Sequence, residues 1–250
     1  MSLPGAARAE PAGTRLRDVL DRGQLRILTS LEMPALAYRD SAGQPAGFDV
    51  ALGRLLAAGL GVEPVIQDVP MAERIARLRA GQGDIICHLP VTIEVARQAL
   101  LTSPYGRIEI SLISPARFPF RGMAELAGHP VGVLAGHDGQ ALAREMLPAR
   151  TRIEPMPNIQ GLAAALAEGR VDAVVVARPV LGRLQRAEPR LGLSHRFVLA
   201  PRWIAVGVPF GEHDLLRVLN ALIFLARSQG RLAALSEAHL GFPLPELPSF

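Results

Sequence analysis

Two similar segments constrain the fold of this chain more than any other feature. Residues 78–84 are Leu-Arg-Ala-Gly-Gln-Gly-Asp, and residues 166–172 are Leu-Ala-Glu-Gly-Arg-Val-Asp. Each segment predicts the end of a helix, a glycine in the left-handed cap position, and an aspartate that opens a buried strand. They lie too far apart for a solenoid repeat, so they predict two similar α/β lobes.

Strands and helices alternate around each of the two segments. In the first half we expect strands at 25–29, 62–69 and 84–89, and helices at 48–60 and 72–79. In the second half we expect strands at 129–135, 152–156 and 171–177, and helices at 139–146 and 159–167. This alternation is typical of a parallel α/β sheet.

The two ends of the chain carry further predictions. Residues 1–13 are rich in Gly, Pro and Ala and show no periodicity, which predicts disorder, and Thr14 is placed to cap a short helix. Near the other end we expect a strand from Trp203, a long amphipathic helix at 212–228 and a short final helix. A Pro-rich tail follows these elements.

Charge and hydropathy exclude two functional classes. No run of 18 or more apolar residues occurs, so no membrane-spanning helix is predicted. The 27 basic residues are all arginine and are scattered, and aromatic residues make up 4% of the chain. Nucleic-acid binding requires a basic stripe, usually with stacking aromatics, and is not expected. The single cysteine, Cys87, forms no internal disulfide and is predicted to be a core residue.

The N-terminal segment bears on localisation. It lacks the apolar core of a signal peptide, but Ala7-Arg-Ala9 has the small-x-small pattern that precedes a signal cleavage site. We therefore expect a mature periplasmic protein whose signal peptide has been removed. A cytosolic protein with a disordered tail is the alternative.

Four parts of the chain together resemble a known family. They are Leu25–Val50 with its Gly-Phe-Asp motif, 78–86 followed by Leu-Thr-Ser-Pro-Tyr at 101–105, 169–175, and 203–208 with 219–232. In order and spacing they resemble bacterial extracellular solute-binding protein family 3 over roughly residues 24–241. These proteins are periplasmic receptors of polar amino-acid ABC transporters.

The resemblance implies an α/β fold of two Rossmann-like lobes joined by a two-strand hinge, the periplasmic binding protein type II fold. The implied domains are a tail and short helix at 1–23, a first lobe at 24–107 and 203–250, and a second lobe at 111–199. Crossing strands near 105–110 and 197–203 would form the hinge. The implied partners are a small-molecule ligand, bound as the lobes close, and an ABC transporter permease; we expect a monomer.

The chain departs from the family pattern at the implied ligand site. The arginine that binds the ligand carboxylate would fall at Val95, although Arg97 follows two residues later. The aspartate that binds the ligand ammonium would fall at Ala177, and the ligand-stacking aromatics at Met33 and Met71. A buried ammonium without a carboxylate is strongly destabilised. We therefore expect a small organic ligand other than an ordinary zwitterionic amino acid.

The candidate ligand-binding residues are those that the resemblance and the strand ends place at the cleft: Met33, Met71, His88, Thr92, Arg97, Arg107, His137, Asp138 and Arg178. Several have alternative roles. His137 and Asp138 could cap the following helix, whereas the turn at 136–139 could bind an anion through free backbone N–H groups. Arg107 and Arg178 could be solvated, and His88 could be a core histidine. The spacing does not require a metal site, and we predict no cofactor and no catalytic residue.

Three functions remain open at this point. The leading hypothesis is a transport receptor that is not an enzyme. The second is an enzyme on the same fold, similar to the dehydratase relatives of this family, with Glu32 and His88 as candidate acid or base groups. The third is an accessory or sensor protein of a periplasmic dehydrogenase system.

Overall fold

The structure is a computed structural model that describes residues 14–33, 35–241 and 244. The predicted disorder of residues 1–13 and most of the predicted C-terminal tail therefore lie outside the described residues. Within them, the α-helices are α1 Arg15–Arg22, α2 Phe48–Leu60, α3 Arg74–Arg79, α4 Ile93–Ala96, α5 Asp138–Met146, α6 Ile159–Ala167, α7 Leu181–Ala187, α8 His213–Ser228 and α9 Arg231–Leu240. None of these helices is both long and apolar enough to cross a membrane.

The strands form one large sheet and one small sheet. Their bounds are β1 Gln24–Thr29, β2 Glu32–Met33, β3 Ala37–Arg39, β4 Pro45–Ala46, β5 Glu63–Asp68, β6 Ile85–Pro90, β7 Leu100–Leu101, β8 Gly106–Ser114, β9 Pro130–Leu134, β10 Arg152–Met156, β11 Ala173–Ala177 and β12 Ser194–Val208. The large sheet has the order β10-β9-β11-β8-β12-β6-β1-β5, and β7 pairs with β12. Strands β2, β3 and β4 form the small sheet.

The two lobes lie at the two ends of the large sheet. In the first lobe β1 pairs in parallel with β5 and β6, and in the second lobe β9 pairs in parallel with β10 and β11. The alternation of strands and helices therefore predicts the pairing within each lobe. The fold is the expected α/β arrangement of two Rossmann-like lobes.

Strands β8 and β12 join the lobes and differ from the parallel prediction. They pair antiparallel along their length, from Ser194 opposite Ser114 to Ile204 opposite Gly106. Both predicted hinge segments are therefore parts of longer strands. The strand predicted from Trp203 and the crossing strand predicted near 197–203 are parts of one strand, β12, which begins at Ser194 because β8 supplies backbone hydrogen-bond partners along its length.

Each repeated segment has the predicted local structure. Gly81 and Gly169 both adopt the left-handed conformation, each with φ of 72°. Both aspartates immediately precede their strands, and their backbone N–H groups donate to the neighbouring strand: Asp84 to the Arg26 carbonyl and Asp172 to the Pro130 carbonyl. The two segments therefore form the same turn in both lobes.

Separate apolar clusters fill the two lobes. In the first lobe, α2 and α8 pack on the sheet, and Phe48 lies 6.0 Å from Tyr105 between ring centroids. In the second lobe one cluster around Leu162 covers one face of the sheet, and another around Leu142 covers the opposite face. Cys87 is buried in the first cluster, as expected for a core residue.

Candidate functional site

A cavity of about 440 Å³ lies between the lobes. The first lobe contributes residues from β2, the start of α3, the end of β6 and the turn before β7, and the second lobe contributes the turns after β9 and β11. The crossing strands complete the wall with Ile108, Ile110, Arg202 and Ile204. The cavity therefore occupies the position at which strand ends of both lobes meet.

Apolar side chains make up much of the cavity wall. Met33 and Met71, which the resemblance places at the cleft, line it on the first-lobe side together with Leu36, and Val176 and Val180 line it on the second-lobe side. Unbranched methionine side chains adapt to irregular ligand shapes. The wall can therefore enclose an apolar or irregular solute.

Arg74 is the most buried basic side chain in the wall, with 4% of its surface exposed. Its Nη1 donates to the carbonyl oxygens of Cys87 and His88, each at 3.3 Å, and its Nη2 lies 2.6 Å from the sulfur of Met71. Within the described residues its Nε–H has no hydrogen-bond partner. Burial lowers the pKa of Arg74, and the charge of nearby Asp49 opposes that shift.

His88 and Asp49 form a polar pair next to this arginine. His88 lines the cavity, and its Nδ1 lies 3.5 Å from Oδ1 of Asp49, whose side chain is fully buried. The backbone N–H of His88 donates to the Tyr105 hydroxyl at 3.1 Å. His88 also has a positive φ of 61°, an uncommon conformation for a residue other than glycine. Burial raises the pKa of Tyr105 well above its usual range, which keeps the phenol neutral.

The second lobe presents His137 and Asp138 at the start of α5. Burial lowers the pKa of His137, which favours the neutral imidazole. Neither residue caps the helix through its side chain at the N-cap position. In the preceding turn the N–H of Gly136 donates to Gln140 and the N–H of His137 to Leu134, so these two groups are not free for an anion.

Four predicted residues do not line the cavity. Thr92 caps α4 by accepting from the N–H of Val95, and Arg97 is exposed at the end of the same helix. Arg178 contacts Glu109 at 2.6 Å, and Arg107 lies 3.7 Å from the same carboxylate. As ligand-binding residues, these four remain predictions.

Sequence reasoning missed Arg74 and Asp49. Arg74 lies in the predicted helix one turn before the buried Leu78, so it lies on the buried face. That i, i+4 relation is the signal that could have identified it. The acidic Asp49 belongs to the Gly-Phe-Asp motif, but its complete burial has no counterpart in the sequence pattern.

Glu32 lines the cavity together with the polar residues Arg79, Gln98 and Arg202. The negative charges of Asp138 and, to a smaller extent, Glu32 favour the charged form of the His137 imidazole, and the larger effect of burial opposes them, so the pKa of His137 is lowered. In the part of the chain that the structure describes, no group of three or more His, Cys, Asp or Glu residues is placed to hold a metal ion.

Two curated proteins are similar to this chain. Cyclohexadienyl dehydratase of Pseudomonas aeruginosa is 27% identical over 201 residues, which is 78% of this chain and 74% of that protein. Membrane-bound lytic murein transglycosylase F of Aeromonas hydrophila is 29% identical over 185 residues, 71% of this chain. The matched part is only 37% of the transglycosylase's own length.

Solved structures share the fold. The structure of Tv2483 bound to L-arginine superposes with a TM-score of 0.82 at 20% identity, covering 92% of this chain and 96% of that one. The family description "Bacterial extracellular solute-binding proteins, family 3" matches residues 25–242, nearly the whole chain. This match agrees with the two lobes, the crossing strands and the cleft between the lobes. The chain therefore belongs to the bacterial extracellular solute-binding proteins, family 3.

Proposed function

We propose that this chain is the periplasmic solute-binding component of an ABC-type uptake system and that it binds a small organic carboxylate other than an ordinary zwitterionic amino acid. The protein then acts as a monomer that delivers its ligand to a membrane permease. The observation that carries the ligand class is Arg74, a buried guanidinium in the cavity wall with an unpartnered N–H within the described residues.

A carboxylate suits this arginine for electrostatic reasons. A buried charge is costly unless it is paired, and a guanidinium binds carboxylates through directed, charge-assisted hydrogen bonds. The carbonyl oxygens of Cys87 and His88 hold Nη1, which fixes the group in place before any ligand arrives. Arg74 therefore takes the role that the family resemblance assigns to the position of Val95.

Among the described residues, no buried carboxylate lines the cavity to pair with an α-ammonium group. Ala177 stands where the resemblance places the ammonium-binding aspartate. The carboxylates that line the cavity, Glu32 and Asp138, are exposed and half-buried respectively. Exposed charge pairs contribute little free energy, so these two groups support a zwitterion less well than a buried aspartate would.

The proposed function includes closure of the two lobes around the ligand. The moving units are the described parts of the two predicted lobes, which are 24–107 with 203–250 and 111–199, and these parts rotate about β8 and β12. Arg74 and His88 then approach the ligand from the first unit, and His137 from the second. Binding proteins with two lobes close around ligands by hinge motion of this kind.

The test is a thermal-shift screen with matched sets of organic acids, amines and amino acids, followed by calorimetry. A ligand at one hundred times its dissociation constant adds about 2.7 kcal/mol of stability. We expect carboxylates to stabilise the chain and Arg74→Met to weaken their binding about tenfold to a hundredfold, since hydrogen bonds to charged groups contribute about 1.5–3 kcal/mol.

Arg170→Met is the matched control, because Arg170 lies outside the cavity wall and forms an exposed pair with Glu168 at 2.6 Å. We expect it to change carboxylate affinity less than threefold, as is usual when an exposed ion pair is removed. Strong stabilisation by ordinary amino acids, or equal losses in the two variants, would show that the proposed ligand class is wrong.

A dehydratase-like enzyme is the second candidate. His137 supports it, because burial lowers its pKa and a neutral imidazole in a cleft can act as a general base. The 27% identity to a cyclohexadienyl dehydratase adds support. Incubating the protein with hydroxylated cyclohexadienyl carboxylates and following product absorbance tests it: turnover that is lost in His137→Gln favours the enzyme, and no turnover favours the receptor.

A further inference from the structure

We propose that Asp49 and His88 form an oriented carboxylate–imidazole pair that selects a hydroxyl group on the ligand, so that the cargo is a 2-hydroxycarboxylate. This inference rests on the proposed function, because it assumes that Arg74 binds the ligand carboxylate. In it, His88 contacts the ligand and Asp49 is a positioning residue.

The geometry of the pair fixes which imidazole nitrogen faces the cavity. Nδ1 of His88 is buried and lies 3.5 Å from Oδ1 of Asp49. Among the described residues neither Nδ1 nor the two Asp49 oxygens have a hydrogen-bond partner. Hydrogen bonds at functional sites are often long before a ligand binds, and a small ring movement closes this one. Because Nδ1 faces Asp49, Nε2 on the opposite side of the ring is available to the cavity.

The carboxylate sets the proton arrangement of the imidazole. An ionised aspartate only accepts hydrogen bonds, so the proton of the neutral ring resides on Nδ1 and Nε2 becomes an acceptor. Asp49 lies in the first turn of α2, where backbone N–H groups favour a negative charge. An acceptor at Nε2 matches a ligand hydroxyl, which can donate.

The backbone holds this acceptor beside the carboxylate-binding arginine. His88 is kept in its left-handed conformation by the Tyr105 hydroxyl on its N–H and by Arg74 on its carbonyl. Strained conformations of this kind persist where the surrounding structure determines them, and they concentrate at functional sites. The donor for a carboxylate and the acceptor for a hydroxyl therefore lie on adjacent parts of one wall, as a 2-hydroxycarboxylate requires.

Three probes with one carbon skeleton test the inference: 2-hydroxy-4-methylpentanoate, leucine and 4-methylpentanoate. They share the carboxylate and differ only at carbon 2, which bears a hydroxyl, an ammonium or hydrogen. By calorimetry we expect the hydroxy acid to bind about fivefold to tenfold more tightly than 4-methylpentanoate, the range of one net hydrogen bond. Leucine should bind more weakly than the hydroxy acid.

Asp49→Asn tests the positioning role. The amide has nearly the volume of the carboxylate but can donate to Nδ1, which moves the ring proton to Nε2 and removes the acceptor. We expect the ratio of hydroxy-acid to deoxy-acid affinity to fall to about one. The matched control is Asp172→Asn, which alters the second lobe's own Asp–His pair, with its 2.8 Å contact to His129, outside the cavity wall. It should leave the ratio unchanged.

Nuclear magnetic resonance keeps the inference testable if Asp49→Asn does not fold. At mildly alkaline pH, the ¹⁵N spectrum of the unaltered protein should show His88 with its proton on Nδ1. A second variant, His88→Asn, tolerates the left-handed backbone and should remove the preference for the hydroxy acid. A proton on Nε2, or a hydroxyl preference that survives in His88→Asn, overturns the inference.

The outcomes separate this inference from the proposed function. If all three carboxylates bind in an Arg74-dependent manner but with equal affinity, the hydroxyl selection is wrong and the carboxylate receptor stands. If none of the carboxylates used here or in the wider screen binds, the proposed function fails as well.

Discussion

The two lobes use the same turn but stabilise its aspartate in different ways. In the first lobe Asp84 is fully buried and contacts Arg22 at 2.6 Å and Arg26 at 2.9 Å, with Arg15 at 3.6 Å. In the second lobe Asp172 is partly exposed and contacts the imidazole of His129 at 2.8 Å, and it has no arginine partner among the described residues. A shared backbone motif therefore does not imply shared energetics.

The same asymmetry extends to the cleft. The first lobe holds a polar cluster in which Arg74 and His88 line the cavity and the fully buried Asp49 lies behind His88, whereas the second lobe presents His137 and Asp138 at the start of a helix. A buried, preorganised cluster loses little freedom on binding, and it is costly if left unpaired. We infer that the first lobe recognises the ligand and that the second lobe covers it.

The largest expected effect is a difference in stability loss between substitutions of Asp84 and of Asp172. Asp84→Asn leaves three arginines around a neutral amide, and removing one partner of a buried ion pair costs about 3–5 kcal/mol. Asp172→Asn removes a partly exposed contact and should cost less than about 1 kcal/mol. Urea denaturation of both variants measures the free energy of unfolding, and equal losses would contradict the asymmetry.

A smaller loss of stability should be equal in the two lobes when the turn glycines are substituted. Gly81→Ala and Gly169→Ala each place a side chain in the left-handed region, which costs about 1–2 kcal/mol. Among the described residues, an added methyl group meets nothing within 4 Å at Gly169, and at Gly81 it meets only the end of the Arg15 side chain, at 3.4 Å. The two losses in thermal stability should therefore agree closely. A clear difference would mean that the repeated turns are not equivalent.

The smallest expected effect concerns pH and the second-lobe side of the cleft. Burial lowers the pKa of His137 in the folded chain below its value in the unfolded chain. When the pH falls through the interval between these two pKa values, the unfolded chain therefore binds more protons than the folded chain. His137 therefore lowers the free energy of unfolding at low pH, and this effect disappears above its unfolded pKa of about 6.5. Unfolding free energies measured from mildly acidic to neutral pH should rise less steeply in His137→Gln. Parallel profiles would contradict this expectation.

The sequence predicts the regular parts of the fold well. The strand at 152–156 and the helix at 159–167 have the predicted bounds, because their apolar periodicity and turn residues are local signals. The helix predicted at 72–79 begins instead with a 3₁₀ turn at Met71–Glu73. The crossing strand predicted near 197–203 begins earlier, at Ser194, because its first residues pair with β8 in a long-range contact that has no local signal.

The site was less predictable than the fold. Five predicted residues line the cavity: the family resemblance placed Met33 and Met71 there, and strand ends placed His88, His137 and Asp138. Arg74 was missed because arginine is rarely buried, so its burial depends on carbonyl groups supplied by a different strand. The backbone conformation of His88 could not be predicted from the sequence either, since a positive φ is expected of glycine rather than histidine.

The order of the strands also has a consequence for how the chain acquires its structure. The second-lobe clusters draw on one continuous stretch, from Ile110 to Leu199, whereas the main first-lobe cluster combines Val19–Ile108 with Ile204–Leu232. During synthesis the second lobe can therefore be completed first. Until the end of β12 and α8 emerge, β6 has an unpaired edge and the first-lobe core is incomplete, which is the state most prone to aggregation. The lobe that we infer recognises the ligand is the last to become native.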